Sequence, residues 1–245
     1  MRNDSLALSN EKLVQQLAES LEEATGLSIR RRSLLERTVK RSIDVVVSLL
    51  VLIFGFPFFL AIALLIKITS KGPVFFRQRR VGRDGSTFIL FKFRTMKLGL
   101  DDTAHREFTK SFINGHSMHT PLDHNGDSVY KLTGDPRVTG IGSFLRRVSL
   151  DELPQFINII KGEMTVVGPR PSLPYEYDCF KDWHKLRVKV KPGLTGLWQV
   201  SGRSTVTFDE MVKLDLYYIE SWALLMDIKI MFKTLPVMLA GTGGY

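Results

Sequence analysis

The feature that most constrains this chain is one uninterrupted apolar run, residues 45–66, in which no side chain is charged and only Ser48, Gly55 and Pro57 are not plainly apolar. A helix over this run rises about 33 Å, which is enough to cross a hydrocarbon core of about 30 Å. Buried helices of soluble proteins are usually shorter and carry a polar stripe. A cleaved signal peptide is disfavoured because 44 residues precede the run. The run therefore predicts a membrane segment.

Basic residues flank this run on both sides. They are Arg30, Arg31, Arg32, Arg37, Lys40 and Arg41 before it, and Lys67, Lys71, Arg77, Arg79, Arg80 and Arg83 after it. Basic flanks stay in the cytoplasm, so both ends are predicted on the same side of the membrane. Pro57 lies near the middle, where proline removes a backbone hydrogen bond and bends a helix. We predict a re-entrant helix over residues 43–68, kinked at Pro57; the alternative is an ordinary kinked span with a short exposed N-terminus.

Composition narrows the class of protein. The net charge is +9, and 44% of the residues are hydrophobic, which excludes intrinsic disorder. A single cysteine, Cys179, excludes an internal disulfide framework. Nucleic-acid binding is disfavoured, because much of the basic charge flanks the apolar run and no recognition motif is present.

Three regions follow from these patterns. Residues 1–42 form a cytoplasmic arm with an amphipathic helix, whose apolar face consists of Leu13, Leu17, Leu21 and Ala24. Residues 43–68 form the re-entrant membrane helix. Residues 69–245 are long enough for one compact cytoplasmic domain. The predicted fold class is α+β and mostly helical.

Within the third region, two apolar segments on either side of the turn sequence Arg83-Asp84-Gly85-Ser86 predict a β-hairpin over residues 73–96. Residues 100–130 are polar and aperiodic, which predicts a loop. This segment contains His116-x-x-His119, but no cysteine or carboxylate cluster accompanies it, so a zinc site is disfavoured. A helical pattern returns after Ser149. Residues 222–239 predict a helix that lies either on the bilayer surface or in the core.

The first candidate for chemistry is the pair Asp151-Glu152. One interpretation is structural: Ser149 caps a helix and Glu152 completes a capping box. Pro154 fits this poorly, because proline prefers the first helical position. If Leu153 is the cap instead, both carboxylates lie at a helix mouth. There they can hold a divalent cation and a phosphate and leave one carboxylate free as a nucleophile.

The second candidate is Gly168-Pro169-Arg170-Pro171, in which two prolines stiffen the chain around an arginine whose fork suits a diphosphate. The alternative is a turn with a solvated arginine. Further candidate cations are Lys92, Arg94, Arg146, Arg147 and Arg203. The sequence contains neither a P-loop nor a dinucleotide-binding glycine motif.

Several of these segments together resemble the bacterial sugar transferases, which are monotopic phosphoglycosyl transferases. The resemblance runs from about residue 37 to residue 235. Its motifs are Lys40-Arg41-x-x-Asp44, Gly72-Pro73-Val74-Phe75-Phe76-x-Gln78-x-Arg80-x-Gly82, Lys92-Phe93-Arg94-Thr95-Met96, Asp135-Pro136-Arg137, Ser149-Leu150-Asp151-Glu152-Leu153-Pro154-Gln155, Gly168-Pro169-Arg170-Pro171 and Lys191-Pro192-Gly193-Leu194-Thr195-Gly196.

The resemblance implies an activity and its site. Such enzymes transfer a sugar 1-phosphate from a UDP-sugar to undecaprenyl phosphate, release UMP and start the synthesis of an exopolysaccharide, capsule, O-antigen or glycoprotein glycan. By this likeness Asp151 is the nucleophile that forms a covalent phosphosugar intermediate, and Glu152 binds Mg²⁺. Lys92 or Arg94, Arg146 and Arg170 match positions that hold phosphates or nucleotide. Arg147 and Arg203 are added from charge and position.

The resemblance also implies a location: the cytoplasmic face of the bacterial inner membrane, with a re-entrant helix in contact with membrane lipids. One departure concerns the bend, where relatives often have Ser-Pro and this chain has Phe56-Pro57. A catalytically inactive membrane-bound scaffold or regulator of polysaccharide assembly is the alternative function. A homodimer, glycan-assembly partners and the identity of the sugar all stay open.

Overall fold

The computed structural model describes residues 32–97, 99, 103–115, 137–201 and 206–239. Helices in these residues are α1 Leu34–Phe54, α2 Phe56–Thr69, α3 Thr103–Ile113, α4 Gly140–Arg147, α5 Gln155–Lys161, α6 Pro174–Asp178, α7 Leu197–Ser201, α8 Phe208–Glu220 and α9 Leu224–Leu239. The strands are β1 Phe75–Val81, β2 Thr87–Phe93, β3 Thr165–Val167 and β4 Gly193–Thr195. Short 3₁₀ turns cover Arg83–Gly85, Leu150–Glu152 and His184–Lys189. The predicted class, α+β and mostly helical, is confirmed.

The apolar run forms two helices that meet at a bend of 61° between α1 and α2. Gly55 lies at the break, and Pro57 occupies the first turn of α2, where proline is tolerated. A side chain on Gly55 would overlap the Val51 carbonyl oxygen, so glycine suits this position. None of the described helices is by itself long and apolar enough to cross a bilayer, whereas the bent pair together reaches that length and composition. Such a pair is compatible with a re-entrant loop or with a broken span.

Large apolar side chains on this pair are exposed. They include Leu50, Ile53, Phe54, Phe56, Phe58, Leu60 and Leu64. Helix α9 adds Leu225, Phe232 and Leu235 on its outer face, while Ile230 on the same helix is buried. Exposed apolar surface of this extent marks a site of contact with a membrane or another protein.

Two polar side chains of α1, Lys40 and Asp44, bind it to β3 and α9. The Lys40 ammonium donates to Asp227 Oδ2 at 2.6 Å and to the Val167 carbonyl at 3.1 Å. Asp44 accepts from the Val166 amide at 2.9 Å, and it also accepts from the Thr165 hydroxyl. Helix α1 begins at Leu34 and is continuous through residue 42, at which the predicted arm ends.

The Arg41 guanidinium completes this attachment at the end of α5. It donates to the Ile159 carbonyl at 2.6 Å and to the Ile160 carbonyl at 2.7 Å. These carbonyls belong to the last turn of α5, where the Ile159 carbonyl also accepts from the Gly162 amide at 2.9 Å. The apolar helix pair is thereby held directly against the helix that follows Asp151 and Glu152.

The predicted hairpin is confirmed: β1 and β2 pair antiparallel, from Phe75 opposite Phe93 to Val81 opposite Thr87. The turn has positive φ at Asp84 (55°) and Gly85 (78°), a conformation that aspartate and glycine tolerate. A second sheet, which the sequence did not reveal, pairs β3 with β4 in parallel. Its strands of three residues each are too short to show a period.

The prediction of a loop over residues 100–130 is wrong for its first part, because α3 occupies Thr103–Ile113 and packs on α6 and α8. His116, His119 and His124, together with the amphipathic helix of the arm, lie outside the described residues. The core packs α5, α8 and β3 around Ile159, Met164, Val212 and Tyr218.

Candidate active site

Asp151 and Glu152 lie in the 3₁₀ turn Leu150–Glu152, between α4 and α5. Ser149 has φ 57° and makes no capping hydrogen bond, so the structural interpretation, a capping box, is wrong. Leu153 is not the cap either, because α5 starts at Gln155 with Pro154 as its cap residue. A non-glycine residue in the left-handed region stores strain, which is common beside functional groups. Here the turn presents two successive carboxylates, and Asp151 is 7% exposed.

The Lys92 ammonium lies between the two carboxylates. Its nitrogen is 2.5 Å from Glu152 Oε1 and 4.0 Å from Asp151 Oδ2. Asn158 of α5 fixes the strand that carries Lys92: its side chain accepts from the Phe91 amide at 3.1 Å and donates to the Ile89 carbonyl at 2.7 Å. Helix α5 thus holds β2 in register with the turn before it.

These surroundings shift the pKa values of the two carboxylates in opposite directions. Burial raises the pKa of Asp151 to about 6, although Lys92 and Arg146 act against the rise. Burial also acts to raise the pKa of Glu152, but Lys92 and Arg170 outweigh it, so that pKa lies below its ordinary value. Asp151 is therefore the more basic carboxylate and the better nucleophile, and Glu152 is the firmer anion.

Arg170 approaches from a separate loop, and its Nη1 lies 3.9 Å from Glu152 Oε1. The loop is fixed where its backbone meets β4: the Gly193 amide donates to the Pro169 carbonyl, and the Gly168 amide donates to the Thr195 carbonyl, each at 2.8 Å. A side chain on Gly193 would overlap the backbone of Gly168. The close backbone contact between the Arg170 loop and β4, which requires glycine at position 193, explains how the Arg170 side chain is held near the carboxylates.

Lys92, Glu152 and Arg170 line one cleft, and Asp151 adjoins Glu152 in the turn beside it. The residues that line the cleft are Arg80, Leu90, Lys92, Glu152, Gln155, Arg170, Pro171, Gly193 and Leu194. Sequence reasoning missed two of the polar residues, Arg80 and Gln155, although both stand in the motifs quoted above. Arg80 is buried, and burial lowers its pKa to about 10, with Arg170 adding to the effect. The sequence of β1 carries no signal that marks Arg80, because Phe75–Val81 does not alternate between apolar and polar residues and three of its residues are arginines.

The structure distributes the other predicted cations differently. Arg146 acts electrostatically on Asp151 and lies at the end of α4, whereas Arg147 is exposed. Arg94 is buried, and its described hydrogen bonds go to Ser70 and to the Lys71 carbonyl, at the end of α2. Of the pair Lys92 or Arg94, it is Lys92 that stands at the carboxylates. Arg203 lies outside the described residues.

The carboxylates of Asp151 and Glu152 are candidate ligands for a metal ion. Among the described residues there is no group of three or more His, Cys, Asp or Glu side chains that could hold an ion. Mg²⁺ characteristically takes one or two carboxylates and completes its shell with water and substrate phosphates. Asp151 and Glu152, adjacent in one turn, fit that donor set, and they do not fit a site made of protein ligands alone.

The chain is similar to known proteins over most of its length. A family model described as "Bacterial sugar transferase" matches residues 35–241. The Exopolysaccharide production protein ExoY of Sinorhizobium fredii is 42% identical over 206 residues, which cover 84% of this chain and 88% of the relative. The Undecaprenyl-phosphate galactose phosphotransferase of Salmonella typhimurium is 40% identical over 211 residues, 85% of this chain and 42% of the relative.

A third relative is the UDP-glucose:undecaprenyl-phosphate glucose-1-phosphate transferase of Escherichia coli, which is 40% identical over 206 residues. The match covers 81% of this chain and 39% of the relative. The chain therefore spans most of the ExoY protein and less than half the length of the other two relatives.

Proposed function

The chain belongs to the bacterial sugar transferase family, and from that premise we propose that it transfers a sugar 1-phosphate from a UDP-sugar to undecaprenyl phosphate and releases UMP. The names of two relatives, a galactose phosphotransferase and a glucose-1-phosphate transferase acting on undecaprenyl phosphate, support this reaction type. The product would start an extracellular polysaccharide.

One observation carries the proposal: a buried carboxylate of raised pKa, Asp151, stands beside a firmly ionised one, Glu152, among several cations. Phosphoryl transfer between anions needs neutralised charge and exact positioning more than it needs a strong base. Lys92 on strand β2 and Arg170 on a separate loop supply that neutralisation.

In the first step an Asp151 oxygen attacks the sugar-bearing phosphorus of the donor. The new bond is an acyl phosphate P–O bond, and the bond that breaks is the anhydride P–O bond to UMP, which leaves with its electron pair. In the second step a phosphate oxygen of undecaprenyl phosphate attacks the same phosphorus, and the Asp151 carboxylate is released. A covalent intermediate allows a soluble donor and a lipid acceptor to use one site in turn.

Glu152 is the residue that would hold Mg²⁺ together with the donor phosphates, and the ion would supply additional neutralisation of their charge. Lys92 keeps Asp151 ionised against the effect of burial and contacts Glu152 at 2.5 Å. Arg170 binds a donor phosphate through its planar fork, the geometry that favours arginine for such contacts.

The membrane supplies the second substrate, so the proposal includes the placement of the protein. The exposed apolar faces of α1, α2 and α9 would insert into the cytoplasmic leaflet, with the bent pair as a re-entrant helix and the basic flanks at the lipid headgroups. Because Arg41 and Asp44 tie α1 to α5 and β3, the carboxylates would then lie close to the bilayer surface.

The test is a comparison of wild-type protein, Asp151→Asn and Asp182→Asn, each purified in nanodiscs and supplied with Mg²⁺, undecaprenyl phosphate and a panel of UDP-sugars. Asp182 is a matched control because its carboxylate is fully exposed at the surface. Wild type and Asp182→Asn should release UMP, and mass spectrometry should find a hexose phosphate adduct on the peptide containing Asp151. UMP release by Asp151→Asn at the wild-type rate would refute the nucleophile, and no release with any sugar would favour the scaffold.

A further inference from the structure

The loop that carries Arg170 is held by two buried arginines that themselves come from other elements. Arg187 Nη2 donates to the Arg170 carbonyl at 3.4 Å, and Arg80 Nη1 donates to the Pro171 carbonyl at 2.9 Å. The Val81 amide adds a bond of 2.8 Å to the Ser172 carbonyl. Three successive carbonyls of the loop are thus fixed from β1 and from the 3₁₀ turn His184–Lys189.

Arg187 is in turn held by a buried partner. Its Nη2 lies 2.5 Å from Asp215 Oδ2, and the two side chains are 6% and 1% exposed. Among the described residues, Arg187 Nε and Asp215 Oδ1 have no hydrogen-bond partner. An incompletely bonded buried ion pair contributes little to stability, since desolvation offsets its attraction. A role other than stability would account for the pair.

That role is suggested by what the pair touches. Arg170 sits between two prolines, so its backbone has few ways to move, and a fixed carbonyl fixes the direction in which the side chain leaves the chain. The guanidinium then reaches the site, 3.9 Å from Glu152. A displacement of about 1 Å in such a group can lower activity by roughly a hundredfold.

We propose that the Arg187–Asp215 pair, together with Arg80, positions Arg170 for the donor diphosphate. Asp215 and Arg187 are positioning residues: they act on the donor only through the Arg170 loop. This inference rests on the proposed function, because it takes the ligand of Arg170 to be the diphosphate of a nucleotide sugar.

A double-mutant cycle separates positioning from general packing. The affinity for UDP is measured by titration calorimetry for wild type, Asp215→Asn, Arg170→Ala and the double variant, each as the whole 245-residue chain in nanodiscs. If Asp215 acts through Arg170, Asp215→Asn weakens UDP binding about tenfold alone and by less than about twofold when Arg170 is already alanine. Losses that multiply in the double variant overturn the inference.

Asp227→Asn is the matched control. Asp227 is also a buried carboxylate, 4% exposed, that accepts from a cation, but its partners are Lys40, Tyr218 and Trp222. The variant Asp227→Asn should lower the melting temperature, as Asp215→Asn does, and should leave the UDP affinity within about twofold of wild type. An equal loss of UDP affinity in both variants would show a global effect and overturn the inference.

Arg187→Lys provides a second route if Asp215→Asn does not fold, because lysine retains a charge beside Asp215 but lacks the guanidinium Nη2 that donates to the Arg170 carbonyl. The UDP affinities of Arg187→Lys and of its double variant with Arg170→Ala are measured in the same way. A loss that disappears when Arg170 is alanine supports positioning, and losses that multiply overturn it. If wild type binds no UDP, the proposed donor site and this inference both fail. If wild type binds UDP and the losses multiply, only the inference fails.

Discussion

The ammonium of Lys92 lies 2.5 Å from a carboxylate oxygen of Glu152. The same nitrogen is 4.0 Å from Asp151, so one lysine serves both acids of the turn. Close contact keeps Glu152 ionised, while the longer contact offsets part of the effect of burial on Asp151. The protonation of the proposed nucleophile is thus under the control of a residue on the hairpin.

Replacement of Lys92 should therefore shift the pH dependence of the first chemical step. Burial raises the pKa of Asp151 to about 6 even with Lys92 present, so the rate of adduct formation should fall as the pH decreases through about 6. Lys92→Met removes the cation that opposes this rise, and the midpoint should move upward by about one unit. The measurement is adduct formation from UDP-sugar without the lipid acceptor, from pH 5 to pH 9. An unchanged midpoint would contradict this role of Lys92.

Arg94→Met is the control for this experiment. Arg94 is two residues further along, but its described hydrogen bonds hold Ser70 and the Lys71 carbonyl at the end of α2. The variant should lose about 1–3 kcal/mol of stability because carbonyls lose a charged donor. Its pH midpoint should stay at the wild-type value.

The buried Asp151 carboxylate should also cost stability. Its pKa is raised from 3.8 to about 6 on folding, so the folded state holds more protons than the unfolded state between these values. Stability contributed by this group therefore decreases as the pH rises from about 4 to 6 and then stays constant. At pH 8 the charged form is penalised by up to about 3 kcal/mol, at roughly 1.4 kcal/mol per unit.

Asp151→Asn should accordingly be inactive and yet more stable than wild type at pH 8, with the difference vanishing below about pH 4. Urea unfolding at several pH values measures this. Burial likewise raises the pKa of Asp215 to about 6, but Asp215 is present in both proteins and cancels from the difference. A variant less stable than wild type at pH 8 would contradict the expectation.

Some elements of the fold could be predicted from the sequence and others could not. The hairpin and the bend were predictable because local chemistry determines them: a turn sequence at Arg83–Gly85 and a proline after Gly55. The pairing of β3 with β4 was not predictable, because it joins residues far apart in the chain through backbone contact. Helix α3 was missed although Phe108 and Phe112 stand four residues apart, the spacing of a buried helix face.

The residues of the candidate site likewise include some that could be predicted from the sequence and some that could not. Asp151, Glu152, Lys92 and Arg170 stand in motifs with strong chemical character and could be chosen from residue types alone. The opposite functions of Lys92 and Arg94 could not, since both are cations at the end of one strand and only the fold decides which carbonyls or carboxylates each meets. The roles of Arg187 and Asp215 arise entirely from tertiary contact.

The approach of Gly193 to Gly168 yields a further prediction. Gly193→Ala would force a methyl group into the backbone of Gly168 and separate β4 from the Arg170 loop. We expect a loss of about 1–3 kcal/mol in the free energy of unfolding and weaker UDP binding. Gly140→Ala is the control, because no described atom beyond its chain neighbours and the backbone of its own helix lies within 4 Å of the added carbon. Equal stability of both variants, measured by urea unfolding, would contradict the close approach.

The proposed re-entrant helix predicts where introduced cysteines can be labelled. In a Cys179→Ser background, Leu35→Cys and Lys71→Cys place thiols at exposed positions in the first turn of the bent pair and just after its end. If both ends are cytoplasmic, a membrane-impermeant maleimide should label both in inside-out vesicles and neither in intact cells.

Phe58→Cys completes this experiment, because Phe58 is 72% exposed beside the bend and should lie in lipid. Its thiol should resist the hydrophilic maleimide from either side, since thiolate formation and reagent access both require water. Labelling of Leu35→Cys in intact cells would establish a broken span in place of a re-entrant loop. Ready labelling of Phe58→Cys in inside-out vesicles would show instead that the apolar pair is not in the membrane, because a residue with that exposure can be shielded only by lipid or by a partner.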